Sequence, residues 1–282
     1  RHHEGVRRII RLMIPALFGV SVSQINLLLD TFIASLLVAG SVSWLYFSER
    51  LMDLPLGIFA VAVATVVLPS LSRRHAERSK AEFAALLDWA LRLILLIAVP
   101  ASLVLLAQPM IITLFQNDNF TASDVVMVTY SLQAYSLGLL AFMCIKIFAP
   151  GFYSRHDTRT PVRIGIIAMV ANMVMNILLV FVLDMAHTGL ALATSLAAYL
   201  NAGLLLAGLR REGVFDFQPG WMLFLTRLVG ANAVMCVFLV LFAGDWRQWL
   251  DWDIWQRIWQ LALLCIGGLA LYLLTLLVSG MR

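Results

Sequence analysis

Glu49, Arg50 and Asp53 sit within WLYFSERLMDLPLGIF, a stretch that is otherwise apolar. An ionisable side chain in such a setting is costly and by default marks a functional site. At about 100° per residue, Glu49 and Asp53 share one helix face and Arg50 lies beside it. Two readings stand. The three charges neutralise one another and help helices pack, or they line a hydrated cavity in which Arg50 grips an anionic group. Arginine suits the second role, because its planar fork matches phosphate and carboxylate oxygens two at a time. Lys146, in AFMCIKIFAPGFYSR, either snorkels to the inner headgroups or stands at the mouth of the same cavity. With Gln24 these residues form the candidate substrate-binding set: Arg50, Glu49, Asp53, Gln24 and Lys146.

A second set is made of hard oxygen donors. Asp30 lies in SQINLLLDTFIAS, Asn172 and Asn176 are spaced i, i+4 on one face, and Thr194 and Ser195 lie further on. If their helices converge, Asp30, Asn172, Asn176 and Thr194 suit a small alkali cation such as sodium. The other reading is interhelical hydrogen bonding by the amides and hydroxyls. Asp88 and Arg92, at i, i+4, read as a structural pair, and Arg227 as a residue reaching for the headgroups. No enzyme is expected. The five histidines have no metalloprotease spacing, and there is no P-loop, nucleophile elbow or glycine-rich nucleotide fingerprint. Cys144, Cys236 and Cys265 lie in apolar runs and read as buried small hydrophobes.

The elements that carry these residues are long and apolar. Of 282 residues, 62% are hydrophobic and 13% charged, against roughly 25% charged in ordinary soluble domains. This excludes a soluble domain, a disordered chain and a disulfide scaffold, and predicts an all-α polytopic membrane bundle. Eight runs approach the roughly 20 residues that cross a bilayer: 9–36, 43–71, 85–107, 123–149, 161–183, 188–209, 220–243 and 256–279. With the first end cytoplasmic, fourteen of the 20 Lys and Arg fall in inner segments and only Arg247 and Arg257 in outer loops. That bias predicts both ends of the chain on the cytoplasmic side, and assigns the net charge of +4 to membrane orientation, with no nucleic-acid partner.

Trp246, Trp249, Trp252, Trp255 and Trp259 suit the outer headgroup level, and SRRHAERSKAEFAALLDW suits an interfacial amphipathic helix. Pro15, Pro55 and Pro100 lie inside spans, as kinks or as hinges. The sixth span, GLALATSLAAYLNAG, presents small residues for close packing.

The stretches GSVSWLYFSERLMDLPLGIFAVAVATVVLPSLSR, APGFYSRHDTRTPV and QPGWMLFLTRLV resemble the second half of the bacterial lipid II flippase family (MurJ, also called MviN). The resemblance covers almost the whole chain and is strongest from about residue 10 to 230. That family belongs to the superfamily of multidrug, oligosaccharidyl-lipid and polysaccharide exporters. It has fourteen membrane helices: two six-helix lobes facing a central cavity, then two more helices.

The resemblance implies that residues 1–212 are the second lobe and 213–282 the two additional helices, with the first lobe preceding this sequence and serving as a partner. It implies a multi-pass protein of the bacterial inner membrane. This protein would carry an undecaprenyl-pyrophosphate-linked peptidoglycan precursor (lipid II) from the inner to the outer leaflet by alternating access, for cell wall biogenesis and cell shape. Membrane potential or a cation gradient would drive it.

Arg50 matches the arginine of the family's eighth-helix motif and would face the pyrophosphate. Glu49 stands where relatives commonly carry Asp. Asp30, Asn172, Asn176 and Thr194 resemble the cation site proposed for part of the family. The alternatives are a polysaccharide-lipid flippase or a drug/cation antiporter of the same superfamily, and a non-transporting membrane scaffold. Arg50 argues against a cationic substrate, and the polar cluster argues against a scaffold.

Overall fold

The computed structural model describes residues 21, 24–76, 79–97, 101–117 and 120–281, the side chains of 59–64 and 101–103 excepted. The first part of the 9–36 span, with Pro15, and Pro100 lie outside the described residues. Helix α1 covers 24–35. After it come α2 (Ser41–Pro55), α3 (Val61–Ala76), α4 (Lys80–Ile97), α5 (Ala101–Phe115), α6 (Ala122–Tyr153), α7 (Arg159–Asn176), α8 (Ala186–Arg211), α9 (Trp221–Ala243), the short α10 (Trp246–Asp251) and α11 (Ile254–Val278). No strand occurs among the described residues, only an isolated bridge between Asn117 and Phe120.

Five helical runs are long and apolar enough to cross a membrane: α6, α7 with its extension to Val182, α8, α9 and α11. The predicted span 43–71 is helical without interruption from Ser41 to Ala76, but Glu49, Arg50 and Asp53 keep its first half from being uniformly apolar. The expected kink at Pro55 takes a definite form. Proline offers no N–H to the helix ladder, and here the ladder widens into a π-helical turn over Leu56–Ala60 before α3 resumes. A second π-helical turn, Ile177–Val182, continues α7 directly after Asn176.

The amphipathic stretch 72–89 is no separate interfacial helix. Its first part is the tail of α3 and its second part the start of α4, joined by an ion pair between Arg74 and Glu82. The charged residues lie at the two helix ends, where they suit a connection rather than a helix face.

The bundle is built around α6 and α8. Their close approach depends on the small residues noted in the sequence: a Cβ at Gly138 would lie 2.5 Å from Ser195 Oγ. Ser195 Oγ donates to Ala134 O at 2.7 Å, and Tyr199 OH to Leu137 O at 2.7 Å, so two α8 hydroxyls bond the backbone of α6. One apolar core joins α2, α3, α4, α6 and α8 through Leu71, Leu87, Met143, Ile147, Leu190 and Leu205. A second joins α5, α9, α10 and α11 to the start of α6, through Ile111, Ile112, Val128, Leu239, Trp249 and Leu264.

The pair of buried Asp88 and half-buried Arg92 ties α4 to the α8–α9 connection, as a structural pair should. Arg92 Nε is 2.8 Å from Asp88 Oδ2. Asp88 Oδ1 also accepts from Trp221 Nε1 at 2.6 Å and Gln218 N at 3.2 Å. Arg92 donates to Pro219 O at 3.1 Å and packs over the Trp221 ring.

Three smaller expectations change. Trp249 is fully buried, its indole N–H donating to Ala243 O at 2.9 Å, so it anchors α10 inside the protein and leaves Trp255 and Trp259 exposed. Arg227 donates to Gly280 O at 3.2 Å and so satisfies a carbonyl just past α11. Cys144 is buried, but Cys265 is exposed on α11, on the kind of face that lipid covers.

Candidate functional site

The hard-oxygen residues converge. Asn176 Nδ2 donates to Asp30 Oδ1 at 2.6 Å and to Asn172 Oδ1 at 3.1 Å. Asn172 Nδ2 donates to Thr194 Oγ1 at 3.3 Å, and Thr194 Oγ1 stands 3.5 Å from Asp30 Oδ2. Helices α1, α7 and α8 therefore meet at one polar network. Asn26, which the sequence reading missed, belongs to it: its Nδ2 donates to Asp30 Oδ2 at 3.0 Å. The signal was present, since Asn26 and Asp30 are four residues apart on one face of α1. Ser195 does not join, because its hydroxyl is used in the α6–α8 contact.

The network has an electrostatic deficit. Asp30 is 9% exposed and Asn176 is fully buried. Among the described residues no basic side chain pairs with Asp30. A buried carboxylate without a counter-charge is strongly destabilising, so such a group takes up either a cation or a proton. The amide oxygens Asn26 Oδ1 and Asn176 Oδ1 are buried and accept no hydrogen bond. One added proton would satisfy at most one of them, whereas a small cation can draw on several oxygens at once. The residues thus fit an alkali cation held by Asp30, Asn26, Asn172, Asn176 and Thr194.

The charged cluster of α2 faces a different space. A cavity of about 320 Å3 is lined by Asp30, Thr31, Tyr46, Glu49, Arg50, Asp53 and Tyr135, among others. Helix α2 presents its charges there because Ser48, Leu51 and Met52, on its other face, are buried. Glu49 Oε1 accepts from Tyr135 OH at 2.9 Å, a contact that nothing in the sequence signalled. Arg50 packs over Tyr46, 5.1 Å from the ring centre. Its nearest carboxylate is Asp53, at a loose 4.0 Å, and both side chains are about three-fifths exposed (61% and 62%). Three carboxylates and one guanidinium thus share this cavity.

Lys146 and Gln24 are not part of it. Lys146 lines a larger cavity, of about 980 Å3, bounded by α3, α6, α7 and α8 and the π turn after Pro55. It forms no ion pair among the described residues. Gln24 is exposed and lines neither cavity. The five residues of the expected substrate set therefore fall in three places.

A family model described as lipid II flippase MurJ matches residues 1–259. A probable lipid II flippase MurJ of Vibrio cholerae is 50% identical over 99% of this chain and 53% of its own length. One from Haemophilus influenzae is 46% identical over 99% of this chain and 56% of its own. The chain spans about half the length of the curated relatives it matches.

Among solved structures, a lipid II flippase MurJ in an inward closed conformation aligns with a TM-score of 0.76 and 26% identity, over 96% of this chain and 54% of that one. A multidrug resistance MATE transporter in an outward-facing conformation aligns with a TM-score of 0.65 and 17% identity over 96% of this chain and 64% of that one, a likeness of fold. With its membrane-crossing helices and these similarities, the chain is a multi-pass membrane protein and belongs to the lipid II flippase MurJ family.

Proposed function

We propose that this chain supplies the second lobe, residues 1–212, and two following helices, residues 213–282, of a flippase for lipid II in the bacterial inner membrane. Both ends of the chain lie on the cytoplasmic side. The protein moves the undecaprenyl-pyrophosphate-linked headgroup from the inner to the outer leaflet while the tail stays in lipid, and no covalent bond changes. The lobes rock about a central cavity, exposing it to each side in turn.

Arg50 carries this reading. Its guanidinium is exposed in a cavity and only loosely paired with a carboxylate, so its planar fork can meet the oxygens of a pyrophosphate. Glu49 is held by Tyr135, which leaves Arg50 without a tight carboxylate partner on its own helix. An anion entering beside the three carboxylates meets repulsion that Arg50 must offset, together with charges from the rest of the protein.

A resident alkali cation, with sodium as the first ion to test, would supply positive charge at the Asp30 network and so link headgroup movement to an ion gradient. Asp30, Asn26, Asn172, Asn176 and Thr194 would hold it. The burial of Asp30 and the two orphaned amide oxygens support that assignment.

The test is complementation by the full-length protein in cells depleted of their own lipid II flippase. Arg50→Ala and Arg50→Lys, present in the membrane at normal level, are expected not to sustain growth. The lysine keeps the charge and loses the fork. Normal growth with Arg50→Ala would overturn the assignment of Arg50.

A further inference from the structure

The polar network separates two cavities. Asp30 lines the carboxylate-rich cavity of Arg50. Asn26, Asn172 and Thr194, each bonded into the same network, line the cavity of Lys146. Between them stands the fully buried Asn176, bonded to Asp30 on one side and Asn172 on the other. The partition is thus a single layer of side chains, and its donors and acceptors reach both spaces.

The second cavity extends well beyond the partition. On α7 its lining runs from Pro161 to Asn172, a rise of about 17 Å at 1.5 Å per residue. On α6 it runs to the exposed Tyr153, beside the turn that carries Arg155 and His156. Lys146 is the one charged side chain on this wall among the described residues.

We propose that a small alkali cation crosses this lobe through the partition, entering from the carboxylate-rich cavity and leaving through the Lys146 cavity toward the α6–α7 turn. This rests on the cation reading of the Asp30 network and adds a route to it. The two sides are electrostatically unequal in the sense that the route requires. Asp30, Glu49 and Asp53 gather cations on the entry side. On the exit side Lys146 disfavours a resident cation, so the ion is passed on rather than held. The substrate and the ion then share only the first cavity. The anionic headgroup stays beside Arg50, and the ion has its own way out.

Gly165 offers a clean obstruction. It lines the exit cavity on α7, and a Cβ built there meets nothing within 4 Å, so a larger side chain enters open space. The experiment measures radioactive sodium flux across vesicles holding the full-length protein, and sodium binding by the same protein at equilibrium. In Gly165→Leu the flux is expected to fall by about tenfold with the equilibrium constant unchanged, the signature of a narrowed path through an intact site. Lys146→Gln, which leaves the path open and removes the charge, is expected to raise occupancy severalfold.

Sodium binding with unchanged flux in Gly165→Leu and unchanged occupancy in Lys146→Gln would overturn the route while leaving the site standing. Absence of sodium binding by the wild-type protein, or binding unaffected by Asp30→Asn, would overturn the cation reading itself and the route with it.

Discussion

Two acid–arginine groups in this chain look alike on paper and differ in the fold. Asp88 and Arg92 are four residues apart on α4, and Arg50 and Asp53 are three apart on α2. Asp88 is 3% exposed, and its oxygens are used by Arg92, Trp221 and the Gln218 backbone. Arg92 is likewise occupied by a carboxylate, a backbone carbonyl and an aromatic face. Arg50 and Asp53 are loosely paired and face a cavity, and Arg50 rests on Tyr46 of its own helix. A charge whose hydrogen-bonding capacity is filled by its own protein holds the fold. A charge whose capacity is left open awaits a ligand.

That contrast breaks first at Asp88. Removing Asp88 takes the shared acceptor from Arg92, Trp221 and the Gln218 backbone, and leaving a buried donor unsatisfied costs about 1–3 kcal/mol. Asp88→Ala in the full-length protein should therefore sharply lower its membrane level and melting temperature. Asp88→Leu combined with Arg92→Met should recover much of the loss, because an apolar pair strands no charge. A wild-type melting temperature in Asp88→Ala would remove the structural role.

Asp30 sharpens the comparison from the other side, as a buried carboxylate with no cationic partner. Sodium at about a hundred times its dissociation constant should stabilise the wild-type protein by about 2.7 kcal/mol and leave Asp30→Asn unmoved. Thermal unfolding with and without sodium, at matched ionic strength, reads this directly.

The smallest effect is expected at Asp157, between α6 and α7 and outside the apolar spans. Burial pushes its pKa up, but hydrogen bonds from the Thr160 side chain and from the backbone N–H groups of Thr160 and Arg159, with the charge of Arg155, prevail and hold it below the ordinary 3.8. A lowered folded-state pKa gives stability that is present at neutral pH, above the unfolded value, and is lost as pH falls through the folded one. Asp157→Ala, which removes acceptors at the start of α7, should cost about 1 kcal/mol at neutral pH and less in acid. An equal loss at both pH values would mean that the carboxylate charge is idle.

Much of this was legible in the chain. Helix length and apolarity located α6 to α9 and α11, because each run is uniform enough to be bounded by its own polar ends. The i, i+4 spacing of Asn172 and Asn176 pointed to one face, and Asp30 stood out by its cost in an apolar run. Convergence was not legible. Whether α1, α7 and α8 meet is a tertiary distance that no spacing encodes. For the same reason Lys146 and Arg50 were grouped by chemical type, although different helices place them in different cavities. Tyr135 escaped notice because a tyrosine in a membrane helix carries no distinctive pattern, and its contact with Glu49 spans 86 positions of sequence. Trp249 misled by composition, being one of five tryptophans in a segment where only its own ring turns fully inward.

The most direct test sets Arg50 against Arg92 in the same purified, reconstituted full-length protein, measuring both melting temperature and translocation of lipid II across the bilayer. Arg50→Ala should melt like the wild type and translocate nothing measurable, while Arg92→Ala should melt well below it. Translocation at the wild-type rate by Arg50→Ala would contradict the account, for the guanidinium left open to the cavity would then have no ligand to meet.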